Sequence, residues 1–232
     1  MHGDALSSWI GIAFTALAAA SASSQVFWIN EFHYDNTGAD VGEFVEVVAP
    51  ADFTDLASVR LTLYNGADGH PYGAAHLLSS FTPGETASGW TVYSKTISGL
   101  QNGAPDGLSL DVGGSVVHFL SYEGGFLGSS GPAAGLFAPD IGVSQSESTP
   151  VGSSLGLIGT GSSLSDFTWT SFGAASPGYF NAGQAVVPEP GEYALAACLG
   201  LGGLAWWRRR RRCVGNPCLP TVSANPSGKE CR

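Results

Sequence analysis

The chain has 232 residues, of which 44% are hydrophobic and 12% charged, with 33 glycines and a formal charge of −10. That length admits one domain with targeting segments but not a two-domain enzyme, and the apolar fraction is that of a chain able to bury a core. Of the nine Lys and Arg, Arg208, Arg209, Arg210, Arg211 and Arg212 are consecutive and Lys229 and Arg232 follow, so within residues 23–187 only Arg60 and Lys95 face 15 Asp and Glu, a net of −13. Such a surface repels phosphate backbones, which excludes nucleic acid as an expected partner.

In chain order, residues 9–20 form a short apolar run followed by Ala20-Ser21-Ala22, a small-residue cleavage pattern. This predicts a secretory signal peptide over 1–22, although its n-region lacks the usual basic residues. Residues 23–187 contain no cysteine, so the exported domain is expected to rely on its core rather than on disulfides. Short β-type runs alternate there with Gly, Asn, Asp and Ser clusters, predicting strands over 26–34, 43–48, 59–64, 90–95, 108–111, 116–122, 155–158 and 167–171. Val59, Leu61 and Leu63 fall on one face of the third run, and Asp111-Val112-Gly113-Gly114-Ser115 reads as a hairpin loop. Eight short strands without an amphipathic helix point to an all-β domain, a sandwich or a barrel.

The chain then reads Val187-Pro188-Glu189-Pro190, an apolar stretch over 193–207, and the five arginines. Fifteen helical residues span about 22 Å, short of a bilayer core, but the flanking Trp206 and Trp207 and the arginine block are the features of a stop-transfer helix. With a signal peptide in front, the domain is expected outside the cytoplasmic membrane and the arginines inside.

Pro188-Glu189-Pro190, the apolar helix and Arg208–Arg212, in that order, resemble the PEP-CTERM sorting signal of Gram-negative bacteria. The resemblance implies recognition and processing by an exosortase, a transient stay in the cytoplasmic membrane, and release to the cell surface or matrix of an organism that exports polysaccharide. The signal covers 188–212; the family ends close after its arginines, so 213–232, which hold Cys213, Cys218 and Cys231, are expected not to be an authentic part of the tail. Within 23–187, Ile29-Asn30-Glu31 and Gly42-Glu43-Phe44-Val45-Glu46 resemble the opening strand pair of the lamin-tail domain. Leu61, Leu63 and Asn65 resemble its third strand, and Ser176-Pro177-Gly178 with Asn181 its closing turn. That resemblance implies an immunoglobulin-like β-sandwich, a module that accompanies extracellular nucleases and phosphatases.

Several residues invite a chemical reading. Glu31, His33, Asp35, Asn36, Asp40, Glu43 and Glu46 are the densest polar group, and Asp35, Asp40 and Glu43 are the candidate calcium ligands, since oxygen donors on a strand and its following loop can converge on one ion. Glu31 and Glu46 form a formal acid and nucleophile pair, but a glycosidase also needs a sugar cleft that so short a chain has little left to build. Gly152-Ser153-Ser154-Leu155-Gly156 matches G-x-S-x-G without the helix that a nucleophile elbow requires. His70, His76 and His118 share no ligand spacing; His118 is expected in the sheet and the other two in a loop. Trp28, Tyr64, Tyr72, Trp90, Tyr93 and Trp169 would suffice for a sugar platform, yet most are expected in the core. The reading is a non-enzymatic surface or matrix protein with a structural, adhesive or exopolysaccharide-associated role. Its alternatives are an accessory domain of an extracellular hydrolase and a calcium-stabilised binding module.

Overall fold

The structure is a computed structural model of the chain and describes residues 26–188. Thirteen strands follow one another: β1 (Trp28–His33), β2 (Phe44–Pro50), β3 (Val59–Asn65), β4 (His70–Leu77), β5 (Thr82–Ala87), β6 (Trp90–Thr96), β7 (Asp106–Val112), β8 (Ser115–Tyr122), β9 (Phe126–Leu127), β10 (Phe137–Ala138), β11 (Ser154–Gly161), β12 (Phe167–Phe172) and β13 (Gln184–Val186). Single 3-10 turns precede β3, β5 and β12, and the described residues contain no α-helix. None of their elements is a helix long and apolar enough to cross a membrane; the expected helix over 193–207 lies outside them.

The strands build two open sheets and a small hairpin. One sheet runs β12-β11-β1-β2-β6-β5, with β13 joining β11 in parallel; the other runs β4-β3-β7-β8, and β9 pairs β10. All pairings except β11 with β13 are antiparallel, apart from one isolated parallel bridge, Ser121 to Asp140. The hairpin expected at Gly113-Gly114 is present, with Val112 opposite Ser115 and both glycines at positive φ (57° and 87°), as a two-residue turn between twisted strands requires.

Period-two alternation sets the main core. Val45, Val47 and Ala49 of β2 and Ile29 and Phe32 of β1 meet Val59, Leu61 and Leu63 of β3, Leu108 and Leu110 of β7 and Leu120 and Tyr122 of β8, all essentially buried. Two smaller clusters lie elsewhere. Trp28, Val48, Trp90, Val92, Leu157, Phe167 and Val186 form one; Tyr64 with Phe119, Phe126, Ala133 and Ala138 forms the other, beneath the β9–β10 excursion.

The eight expected strands are all present, and five more accompany them. β4 and β5, each an edge strand of its sheet, carry Pro71 and Gly73 and Pro83 and Gly84. Proline cannot donate to a ladder and is tolerated where one side of the strand is unpaired, so these segments read as loops in sequence. His70 and His76 are accordingly strand residues of β4, not loop residues as expected. The partners of β9, β10 and β13 are set by tertiary contact in runs of two or three residues.

Candidate functional site

The densest polar chemistry sits where β1 and β2 pass under the segment that follows β12. Glu31 and Glu46 are directly opposed cross-strand partners, on the face that alternation turns away from the main core. An irregularity between Ile29 and Glu31 inserts Asn30, whose carboxamide turns to the same network. All three residues have no exposed surface.

Residues 173–183 fold back over this face, held by main-chain donors at alternate positions. Ser176 donates from its N–H to Glu31 Oε1 at 3.0 Å, and its hydroxyl donates to Glu31 Oε2 at 3.0 Å. The Gly178 N–H donates to Glu46 Oε2 at 2.7 Å, and the Phe180 N–H to Glu85 Oε2 at 3.0 Å. Ser154 Oγ donates to Glu31, and Asn30 Nδ2 to Glu46 Oε1 at 2.9 Å. Asn181 completes the seal: its Nδ2 donates to the Asn30 carbonyl at 3.2 Å and to the Leu157 carbonyl at 3.0 Å, bridging β1 and β11. Gln184 Nε2 and Trp28 Nε1 both donate to Asn30 Oδ1, at 2.7 and 3.1 Å. Gly84 is required beneath this segment, because a Cβ there would run into the Gly178 backbone, while the Glu85 N–H donates to the Gly178 carbonyl at 2.7 Å.

Burial raises the Glu46 carboxyl to about 8, against the lowering effect of the Asn30 hydrogen bond, with the Glu31 charge adding to the rise. Glu31 is also raised by burial, in spite of the donors of Ser154 and Ser176. Raised, neighbouring carboxyls are a pattern of acid–base sites. Here every carboxylate oxygen of the pair already accepts a hydrogen bond from the protein, and neither side chain reaches the surface. The arrangement clamps the closing segment.

Of the candidate calcium ligands, Asp35 and Asp40 are neighbours, while Glu43 is engaged elsewhere. Both Glu43 oxygens accept main-chain donors, from Gly99 N–H and Leu100 N–H at 2.8 Å each, so Glu43 anchors the turn after β6. Asp35, just past the end of β1, is buried and has a raised carboxyl, through burial first and then the neighbouring Asp40. Asp40 accepts from the Asn36 N–H at 3.3 Å, and Asn36 Oδ1 meets His33 Nε2 at 3.1 Å. Among the described residues no group of three or more His, Cys, Asp and Glu side chains is placed to hold a metal.

Of the six aromatics considered for a sugar platform, Trp28, Tyr64, Trp90 and Tyr93 are buried, and Tyr72 and Trp169 keep partial exposure. Ser154, the serine of the G-x-S-x-G match, is not in a loop but is the first residue of β11; it is buried, donates to Glu31 and is followed by strand and not by helix. Pro188 is the last described residue; Glu189, Pro190 and Arg208–Arg212 lie outside the described residues. The acidic surface is locally offset by Arg60, which donates from Nε and Nη2 to the two Asp111 oxygens at 3.0 and 3.1 Å across the β3–β7 pair.

His118 of β8 gains a role that its sequence neighbourhood did not indicate. Its Nδ1 accepts the Ile29 N–H at 3.1 Å, joining the two sheets across the core, and burial pushes its pKa down to about 3. The contact spans 89 positions, so no local pattern encodes it.

The chain matches no family model, no curated protein and no solved structure.

Proposed function

We propose that the chain is an exported, non-enzymatic protein of the cell surface or extracellular matrix. In this reading an immunoglobulin-like sandwich of the lamin-tail type is delivered by a signal peptide and a PEP-CTERM signal that an exosortase processes at the cytoplasmic membrane. Its work is structural or adhesive contact, including contact with exported polysaccharide.

The observation that carries the non-enzymatic part is the closure of the Glu31–Glu46 pair: both carboxyls are fully buried, and their oxygens hold residues 176 and 178. The lamin-tail resemblance gains support from the same place. Its opening motif supplies Asn30, Glu31 and Glu46 and its closing motif Ser176, Gly178 and Asn181, and these residues meet in one hydrogen-bonded network. The sorting part rests on the ordered motif, apolar stretch and arginine block of residues 188–212.

Replacing Pro188, Glu189 and Pro190 together by alanine in the native host tests the sorting reading. Fractionation and immunoblotting should show a longer species retained in the membrane. Unaltered processing and release would overturn the exosortase assignment.

A further inference from the structure

The two sheets do not close against each other along their β8 and β12 edges. Between these edges lies a groove of about 460 Å³. That volume lies within the range of small-ligand sites. Ile141, Leu164 and the half-buried Trp169 give it apolar walls, and the exposed Asp140 and Thr168 lie along it. The Trp169 ring is steadied from within by an edge-on contact with Phe32, with centroids 5.4 Å apart.

His118 also lines the groove, with 8% of its surface accessible. Because Nδ1 accepts the Ile29 N–H, the neutral ring carries its proton on Nε2. That second nitrogen is the remaining donor of a ring that borders the groove. A buried side chain therefore offers one fixed donor to the groove. Burial keeps the ring neutral at ordinary pH, so the offered group is a dipole and not a cation.

We propose that this groove is a binding site for a neutral sugar ring, whose apolar C–H face packs on Trp169, whose oxygen accepts from His118 Nε2–H, and whose hydroxyl donates to Asp140. A fixed donor, a rim carboxylate and a partly exposed indole are the complementary partners of a ligand that has hydroxyls and an apolar face together. The net charge of −13 over residues 23–187 opposes an anionic ligand. The site deepens the proposed matrix role and rests on it for the expectation that polysaccharide is the natural source of the ring.

The test is a titration of the full chain in detergent micelles with maltose, cellobiose, lactose and, as the anionic comparison, digalacturonate, followed by two-dimensional ¹H–¹⁵N spectra. At least one neutral sugar at millimolar concentration should shift the Trp169 indole N–H and the His118 ring signals. Asp140→Asn and Thr168→Ala, both rim changes at exposed positions, should leave the melting temperature unchanged. Asp140 Oδ1 already accepts the Gly142 N–H at 3.0 Å, so the ligand hydroxyl is left with Oδ2, the atom that Asp140→Asn replaces by a donor; that change should weaken binding by about fivefold, the equivalent of one lost hydrogen bond. Absence of groove shifts with all three neutral sugars would overturn the site, as would equal binding of digalacturonate or an unchanged affinity in Asp140→Asn. Failure here leaves the sorting experiment unaffected, because that is read on cell fractions.

Discussion

Asn181 is the residue on which the closure of the site most directly depends. It supplies one side-chain amide to two buried carbonyls, Asn30 on β1 and Leu157 on β11, and lies against Gly156, where a Cβ would meet its carboxamide. In Asn181→Ala both carbonyls lose that donor, so unfolding free energy from urea titration should fall by about 2–4 kcal/mol. Glu46 gives a pH signature of the same network. Its folded pKa of about 8 stands above the ordinary 4.5, so the folded state holds a proton more tightly than the unfolded state does. That contribution is complete below pH 4.5 and is lost as pH rises to about 8, a slope of at most about 1.4 kcal/mol per pH unit. Up to pH 6.5 His118 gives the opposite slope, because burial lowers its folded pKa to about 3. The Glu46 decline is therefore read above pH 6.5, where stability should still fall toward pH 8, and Glu46→Gln, whatever its absolute stability, should give a shallower decline there. An equal slope in the variant would remove Glu46 as its source.

Among the elements, β5 and the segment after β12 form a coupled pair, because Gly84 allows close backbone approach and Glu85 fixes the segment at Gly178 and Phe180. Gly84→Ala should displace the segment, with a loss of about 1–3 kcal/mol and faster proteolysis within residues 173–183 while the remaining chain stays resistant. The central strands were legible in sequence because their branched and aromatic residues alternate, as in Val59, Leu61 and Leu63. The edge strands β4 and β5 were not, since Pro71, Pro83 and their glycines look like turns until the missing neighbour on one side is known. The candidate site divides in the same way. Its residue types stood out as a polar group, but Glu31 meets its Ser176 partner across 145 positions, so neither its burial nor its clamping role can be read from spacing. Glu43 was misleading for the same reason: its partners, Gly99 and Leu100, contribute main-chain N–H groups that every residue but proline possesses.

At the scale of the whole molecule, both sheets carry more than the core between them. The segment after β12 covers the Glu31–Glu46 network, and the excursion through β9 and β10 covers Tyr64 and Phe119. Coverings of this kind account for how a domain without cysteine buries so much of a glycine-rich chain, and the segment after β12 encloses the Glu31–Glu46 pair. In the proposed reading these carboxyls hold structure and do no catalysis. Its most direct measurement is turnover by the full chain of a panel of DNA, phosphoester and glycan substrates between pH 4 and 9, with Glu31→Gln and Glu46→Gln run beside it. No hydrolysis above buffer is expected from any of the three proteins; hydrolysis by the natural chain that either substitution abolishes would contradict a purely structural role.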